Sequence, residues 1–341
     1  MRTLASRFFF YILATLMIVS IAAVPEGLAE TSTARFKPAM VYLYTGDDAD
    51  NSFIATARAG LTKAAQEYNV TIAEHRVRSK EEISATIKRV ADSGATPIIA
   101  LGYQNVTPVL NLAERYPRTQ FTVIDGLVPP LYPNVQSVIF RDNEGAFLVG
   151  LIAGKTTKMN HVAFIGGMDI PLIRNFALGY EQGVKYANAS CTVNTDMIGD
   201  TPYAWGNPKR AHTLAIANYS DGADVIFAAA GGSSIGVLRA ADDAHKFAIG
   251  VDSNQNNLFP GRVLTSLVKR VDIAVYDALR ASHDGKWNPG IKYLGIKEGA
   301  LDYAVDEHNK HLISEQLIEY VATAKERIIN GTITVDSYSP K

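Results

Sequence analysis

Residues 222–255 read GADVIFAAAGGSSIGVLRAADDAHKFAIGVDSNQ, and the fold turns on this stretch. Asp224–Ala229 is a short apolar run with β-branched residues, as a strand buried on both faces requires. Gly231 and Gly232 permit a sharp turn, and Ser233 or Ser234 supplies a helix cap. Ile235, Leu238, Ala241 and Ala244 then recur at helical spacing. Phe247–Val251 is a second strand, and Asp252-Ser253-Asn254-Gln255 is its polar tip. Strand, helix and strand in this order imply parallel pairing, and open α/β sheets bind ligands outside the carboxyl ends of their strands. The Gly231 turn and the Asp252 tip are therefore expected on one crevice.

Working outward, the same alternation runs through the rest of the chain. Ala39–Tyr44, Val70–His75, Pro97–Leu101, Gln120–Ile124 and Val135–Phe140 read as strands with helices between them. Ser79-Lys80-Glu81-Glu82 places Glu three residues after Ser, a capping box for the helix that reaches Asp92. The pattern then restarts. Asp142 is expected to cap an apolar helix over 144–155; His161–Ile165 and Thr192–Ile198 are strands, and Val263–Leu267 follows the opening stretch. Ile291–Tyr303 reads as late β-structure and Ser314–Asn330 as a terminal helix. Two successive sets of this kind predict an α/β protein of two Rossmann-like lobes with parallel sheets. The expected lobes are 31–138 with 270–289, and 139–269 with 290–341. No proline-rich or serine-rich linker separates them, which suits a hinge better than tethered domains.

The 341 residues are 47% hydrophobic and 20% charged with a formal net charge of −1. These are globular values with no electrostatic footprint for nucleic acid. Arg2 and Arg7 precede the apolar run Phe8–Val24, and Gly27-Leu28-Ala29 offers small residues before Glu30. That is the layout of a signal peptide over 1–29. An uncleaved anchor is the competing reading, because the run approaches bilayer-spanning length. Cleavage predicts a periplasmic monomer with no stable membrane insertion. Cys191 is the only cysteine, so internal disulfides are excluded, and no lipid-bearing cysteine follows the signal.

The strand tips gather a consistent set: Asp47, Asp50 and Phe53, then Asp125, then Met168 and Phe176, then Gly231, Asp252 and Lys269. Carboxylates accept hydrogen bonds from hydroxyls and amines, whereas Lys269 can only donate. Phe53 and Phe176 stand in or beside polar loops, suited to stacking on a flat ring. Each residue alone has a bland reading, a turn aspartate or a core phenylalanine. Together they favour a polar cleft lined by aromatics. Gly231-Gly232-Ser233-Ser234-Ile235-Gly236 has neither dinucleotide spacing nor the Gly-Lys-Ser/Thr of a P-loop. His308 and His311 beside Asp306 and Glu307 lack a convincingly spaced third metal ligand, so no metal and no cofactor is expected.

Several motifs carry a family resemblance. They are Asp50-Asn51-Ser52-Phe53, Phe140-Arg141-Asp142-Asn143-Glu144-Gly145, Phe164-Ile165-Gly166-Gly167-Met168, Gly222-Ala223-Asp224-Val225-Ile226-Phe227, Gly250-Val251-Asp252-Ser253-Asn254-Gln255 and Ser266-Leu267-Val268-Lys269-Arg270. In this order the chain resembles the basic membrane protein family of solute-binding proteins, the purine-nucleoside-receptor-like family. The resemblance implies a type I periplasmic-binding fold and a non-enzymatic role, delivering a small molecule to an ABC permease and ATPase. It further implies a purine nucleoside, its base between Phe53 and Phe176 and its edge met by Asp47 or Asp50. Asp125, Gly231, Asp252 and Lys269 would then approach the ribose, with Met168 close by. A sensor subunit for a membrane receptor and an exported nucleoside-cleaving enzyme are the alternatives. The chain departs from the family at Ile54, where Asn is frequent. Isoleucine cannot read a base edge, so discrimination there is expected to rest on stacking, unless Ile54 belongs to the core of its helix.

Overall fold

The computed structural model describes residues 36–44 and 51–339. The expected signal segment, Asp47 and Asp50 lie outside the described residues. The strands are β1 (Ala39–Leu43), β2 (Ala73–Val77), β3 (Ile98–Leu101), β4 (Phe121–Ile124), β5 (Val135–Phe140), β6 (His161–Met168), β7 (Thr192–Gly199), β8 (Val225–Ala229), β9 (Phe247–Asp252), β10 (Val263–Lys269), β11 (Gly290–Leu294) and β12 (Leu301–Tyr303). They form two six-stranded sheets, ordered β11-β5-β4-β3-β1-β2 and β12-β10-β9-β8-β6-β7. Every pairing in the first is parallel; in the second only β12 runs antiparallel, against β10. Central strands such as β1 and β8 are buried along their whole length, which is why they read as unbroken apolar runs rather than alternating ones.

Helices α1 (Ser52–Glu67), α2 (Lys80–Asp92), α3 (Val106–Ala113), α4 (Asp142–Thr156), α5 (Pro171–Ala187), α6 (Pro208–Ser220), α7 (Ser234–Asp243), α8 (Val271–His283) and α9 (Glu315–Ile329) cover the sheets. None of the described helices is long and apolar enough to cross a membrane. Asn51 caps α1, its Oδ1 accepting from the Ile54 amide at 3.2 Å, and Ile54, Ala57, Leu61 and Ala64 bury one face. At α2 the expected box is replaced by a different bond. Ser79 makes no side-chain cap bond, and Glu82 instead accepts from the Arg78 amide.

The chain passes between the sheets after β5, after β10, and between β11 and β12. The last passage corrects the sequence reading. Residues 290–294, expected with the second lobe, pair in register with Gln136–Phe140 of β5 in the first sheet. Leu301–Tyr303 pairs with Leu267–Lys269 of β10 in the second. A β-pattern in sequence shows which residues are extended, not which edge they join. α8 returns to the first sheet's side, packing so closely on α1 that a methyl on Gly60 would strike the Asp272 carbonyl.

Candidate functional site

The carboxyl ends of both sheets face one cleft, which holds about 760 Å³ including the part open to solvent. From the first lobe come Tyr42, Leu43, Asn51, Phe53, Ile54, Gly102, Tyr103, Gln104 and Asp125. From the second come Leu172, Ile173, Phe176, Trp205, Gly231 and Asp252. Four of these residues hold positive-φ backbone: Gly102 at φ 97°, Asp125 at φ 56°, Gly231 at φ 54° and Asp252 at φ 67°. Aspartate tolerates this region better than most residues, and at a strand tip the reversal turns the side chain off the strand line. Both carboxylates are buried at the cleft, 5% and 6% exposed.

The electrostatic centre is Lys269 at the end of β10, 1% exposed. Its Nζ donates to Asp125 Oδ2 at 2.5 Å, and stands 3.0 Å from Asp142 Oδ1 and 3.2 Å from Asp142 Oδ2. Asp252 accepts from the Ser52 hydroxyl at 3.1 Å, a bond that joins the lobes. Phe140, Phe176 and Phe53 surround the ammonium with ring centroids at 4.7, 5.3 and 5.7 Å. Burial alone would lower the Lys269 ammonium, but Asp125, Asp142 and Asp252 hold it above its usual range. The second oxygen of Asp125, Oδ1, is buried and has no hydrogen-bond partner among the described residues.

One cation faces three buried carboxyl groups, so the cluster retains a proton near neutrality. Burial pushes Asp142 up to about 8, against the opposing pull of Lys269, and pushes Asp252 up to about 6. Both values exceed the ordinary 3.8, so these acids hold their protons more tightly folded than unfolded. The stability this contributes is complete below the ordinary carboxylate range and is lost as pH rises through the folded values. Thermal unfolding should therefore show stability falling between about pH 4 and pH 8. Asp142→Asn, which keeps the shape and removes the titrating group, should flatten the decline. Parallel curves for parent and variant would contradict the assignment.

Of the residues singled out in sequence, Phe53, Asp125, Phe176, Gly231 and Asp252 line the cleft together, and Lys269 lies behind Asp125. Met168 is not among the residues lining the cleft; its sulfur accepts from the Tyr103 hydroxyl of the other lobe at 2.8 Å. Ile54 is 4% exposed within the α1 core and also forms part of the cleft wall. Asp142 corrects an expectation. Arg141 occupies the cap position of α4, and the Asp142 carboxylate goes to Lys269 instead. Tyr103, Trp205 and Asn51 were not singled out; Tyr103 lay in a strand tip and Trp205 near a helix start, but nothing local marked them. Among the described residues, Asp306, Glu307 and His308 are the one group with metal-ligand types close together, and Asn254 and Asn256 already donate to Asp306.

A family model described as ABC transporter substrate-binding protein PnrA-like (Bmp) matches residues 37–339. The chain is 29% identical over 332 residues to basic membrane protein D of Borreliella burgdorferi, covering 96% of this chain and 94% of that protein. It is 31% identical over 332 residues to a CD4+ T-cell-stimulating antigen of Listeria monocytogenes, covering 89% of each. The crystal structure of an ABC transporter solute-binding protein from Aeropyrum pernix superposes with a TM-score of 0.82 at 26% identity, over 89% of this chain and 94% of that one. The two lobes with their parallel sheets form a type I periplasmic-binding fold. This chain belongs to the PnrA-like family of ABC transporter substrate-binding proteins, whose role is to bind a small-molecule solute for transport components and not to transform it.

Proposed function

We propose that the solute is a purine nucleoside, bound outside the cytoplasmic membrane as the two lobes close about the three chain crossings, and released to the permease of an importer. The observation that carries this reading is the Asp125 carboxylate. One oxygen is fixed by Lys269, while Oδ1 is buried with no hydrogen-bond partner among the described residues, and Asp125 lines the cleft together with Phe53 and Phe176. A buried acceptor of this kind needs a donor from the ligand. A sugar hydroxyl supplies one, and a flat base attached to the sugar reaches the aromatic rings. Asp252 offers a second acceptor, and Gly231 lets the ligand approach backbone that a side chain would cover.

Calorimetric titration with adenosine, guanosine, inosine and the free bases tests the reading. Nucleosides should bind and free bases should bind far more weakly, because the carboxylates engage hydroxyls. The apolar wall at Ile54 should leave the three nucleosides within about tenfold of one another. Asp252→Ala should weaken binding by roughly 1.5–3 kcal/mol for each charge-assisted bond it removes. Adenosine and guanosine without measurable affinity, or free base appearing in the mixture, would overturn the reading.

A further inference from the structure

The strand orders place the charged residues and the outer aromatics on different sides of the cleft. Asp125 follows β4, and Asp252 and Lys269 end β9 and β10, the strands near the edge where the chain crosses between lobes. Tyr103 follows β3, Met168 ends β6, and Trp205 follows β7, the strand at the far edge of the second sheet. Among the described residues, Asp125, Asp252 and Lys269 therefore lie towards the inner side of the cleft, and Tyr103, Met168 and Trp205 towards its outer side. On the outer side the lobes touch. The Tyr103 hydroxyl donates to Met168 Sδ at 2.8 Å, and the Trp205 indole N–H is its other polar neighbour.

Trp205 is held in place from behind. Its indole packs against Gly167, where a methyl would overlap the ring. The turn that carries it, Pro202–Gly206, is fastened by Ser233, whose hydroxyl donates to the Ala204 carbonyl and accepts from the Asn207 amide, both at 2.7 Å. Ser233 is fully buried, so this support is rigid.

We propose that Tyr103 and Trp205 are specificity-determining residues that set the length limit of the ligand. Resting on the nucleoside reading, the inference is that the sugar lies on the inner side with the carboxylates. The outer edge of the base then meets the Tyr103–Trp205 pair. A base that ends before the pair lets the lobes meet; a bulky substituent on its outer edge wedges Tyr103 away from Met168 and Trp205.

The test uses adenosine, N6-benzyladenosine and adenosine 5′-monophosphate as probes, titrated on the parent, Trp205→Ala, Trp205→Phe and Tyr103→Phe. The parent should bind N6-benzyladenosine at least roughly thirtyfold more weakly than adenosine, a discrimination of the size a pocket wall supplies. Trp205→Ala should narrow that ratio by about tenfold or more, and Tyr103→Phe should narrow it less, since the ring remains. Trp205→Phe keeps an aromatic plane on Gly167, guarding against loss of the fold as the cause. The 5′-monophosphate, enlarged on the sugar side, should gain nothing from any of the variants. An unchanged ratio in a protein that binds adenosine overturns this inference alone. Rescue of the 5′-monophosphate in place of the benzyl compound overturns it too, by reversing the ligand. A parent that binds no nucleoside overturns the functional reading with it.

Discussion

Replacing Lys269 by Met is expected to destabilise the protein by about 3–5 kcal/mol at neutral pH, the usual result of stripping one partner from a buried charge pair. Methionine fills much the same space, so packing around Phe53, Phe140 and Phe176 survives. The loss is electrostatic. Asp125 and Asp142 would face each other without the ammonium that stands 2.5 Å from one and 3.0 Å from the other. Ligand binding should vanish, because the Asp125 carboxylate loses the contact that fixes it. The deficit should shrink as pH falls, since protonating the acids removes the uncompensated charge. Lys269→Met combined with Asp142→Asn should recover part of the stability, as expected of residues that share one network. Chemical denaturation at pH 5 and pH 8 checks all three statements. A single variant as stable as the parent at pH 8 would mean that Lys269 does not neutralise the cluster.

That cluster shows where sequence reading reached and where it stopped. Asp125, Asp252 and Lys269 were legible because each follows a strand, and strand tips of an α/β sheet gather at one crevice whatever the details of packing. Asp142 was not. It stands two residues before the helix read over 144–155, where an aspartate reads as a cap, and only the crossing of the chain after β5 and β10 brings it against Lys269. Trp205 and Tyr103 are hidden for a related reason. Their significance is a contact between lobes, and neither periodicity nor spacing carries the relative placement of two lobes. The same holds for 290–294, recognisable as β-structure but assigned to the wrong sheet. Local alternation reports conformation and burial; partners more than a hundred residues away leave no local trace.

Gly179→Ala together with Gly183→Ala is the second change expected to have a large effect, through packing and not charge. α4 and α5 touch along a seam of glycines, Gly150 and Gly154 on one helix and Gly179 and Gly183 on the other. A methyl on Gly179 would land on the Asn143 carbonyl, and one on Gly183 on the Phe147 carbonyl. Alanine gains about 1 kcal/mol of helix propensity at each site, but overpacking costs roughly 1–3 kcal/mol and occasionally more. Here the upper end applies, because the obstructing atoms belong to helix backbone and yield only if the helices separate. Separation reaches the cleft directly: α4 begins with Asp142, held by Lys269, and α5 carries Phe176 in the cleft wall. The double variant should therefore lose ligand affinity as well as stability. Gly145→Ala is the matched control, on α4 but meeting Leu267 Cδ1 and Leu301 Cβ at 3.3 Å, a tight contact in place of a backbone overlap. It should unfold close to the parent and bind normally. Calorimetric melting and nucleoside titration on both variants decide the matter. A double variant that melts and binds like the Gly145→Ala control would show that the seam does not position Asp142 and Phe176.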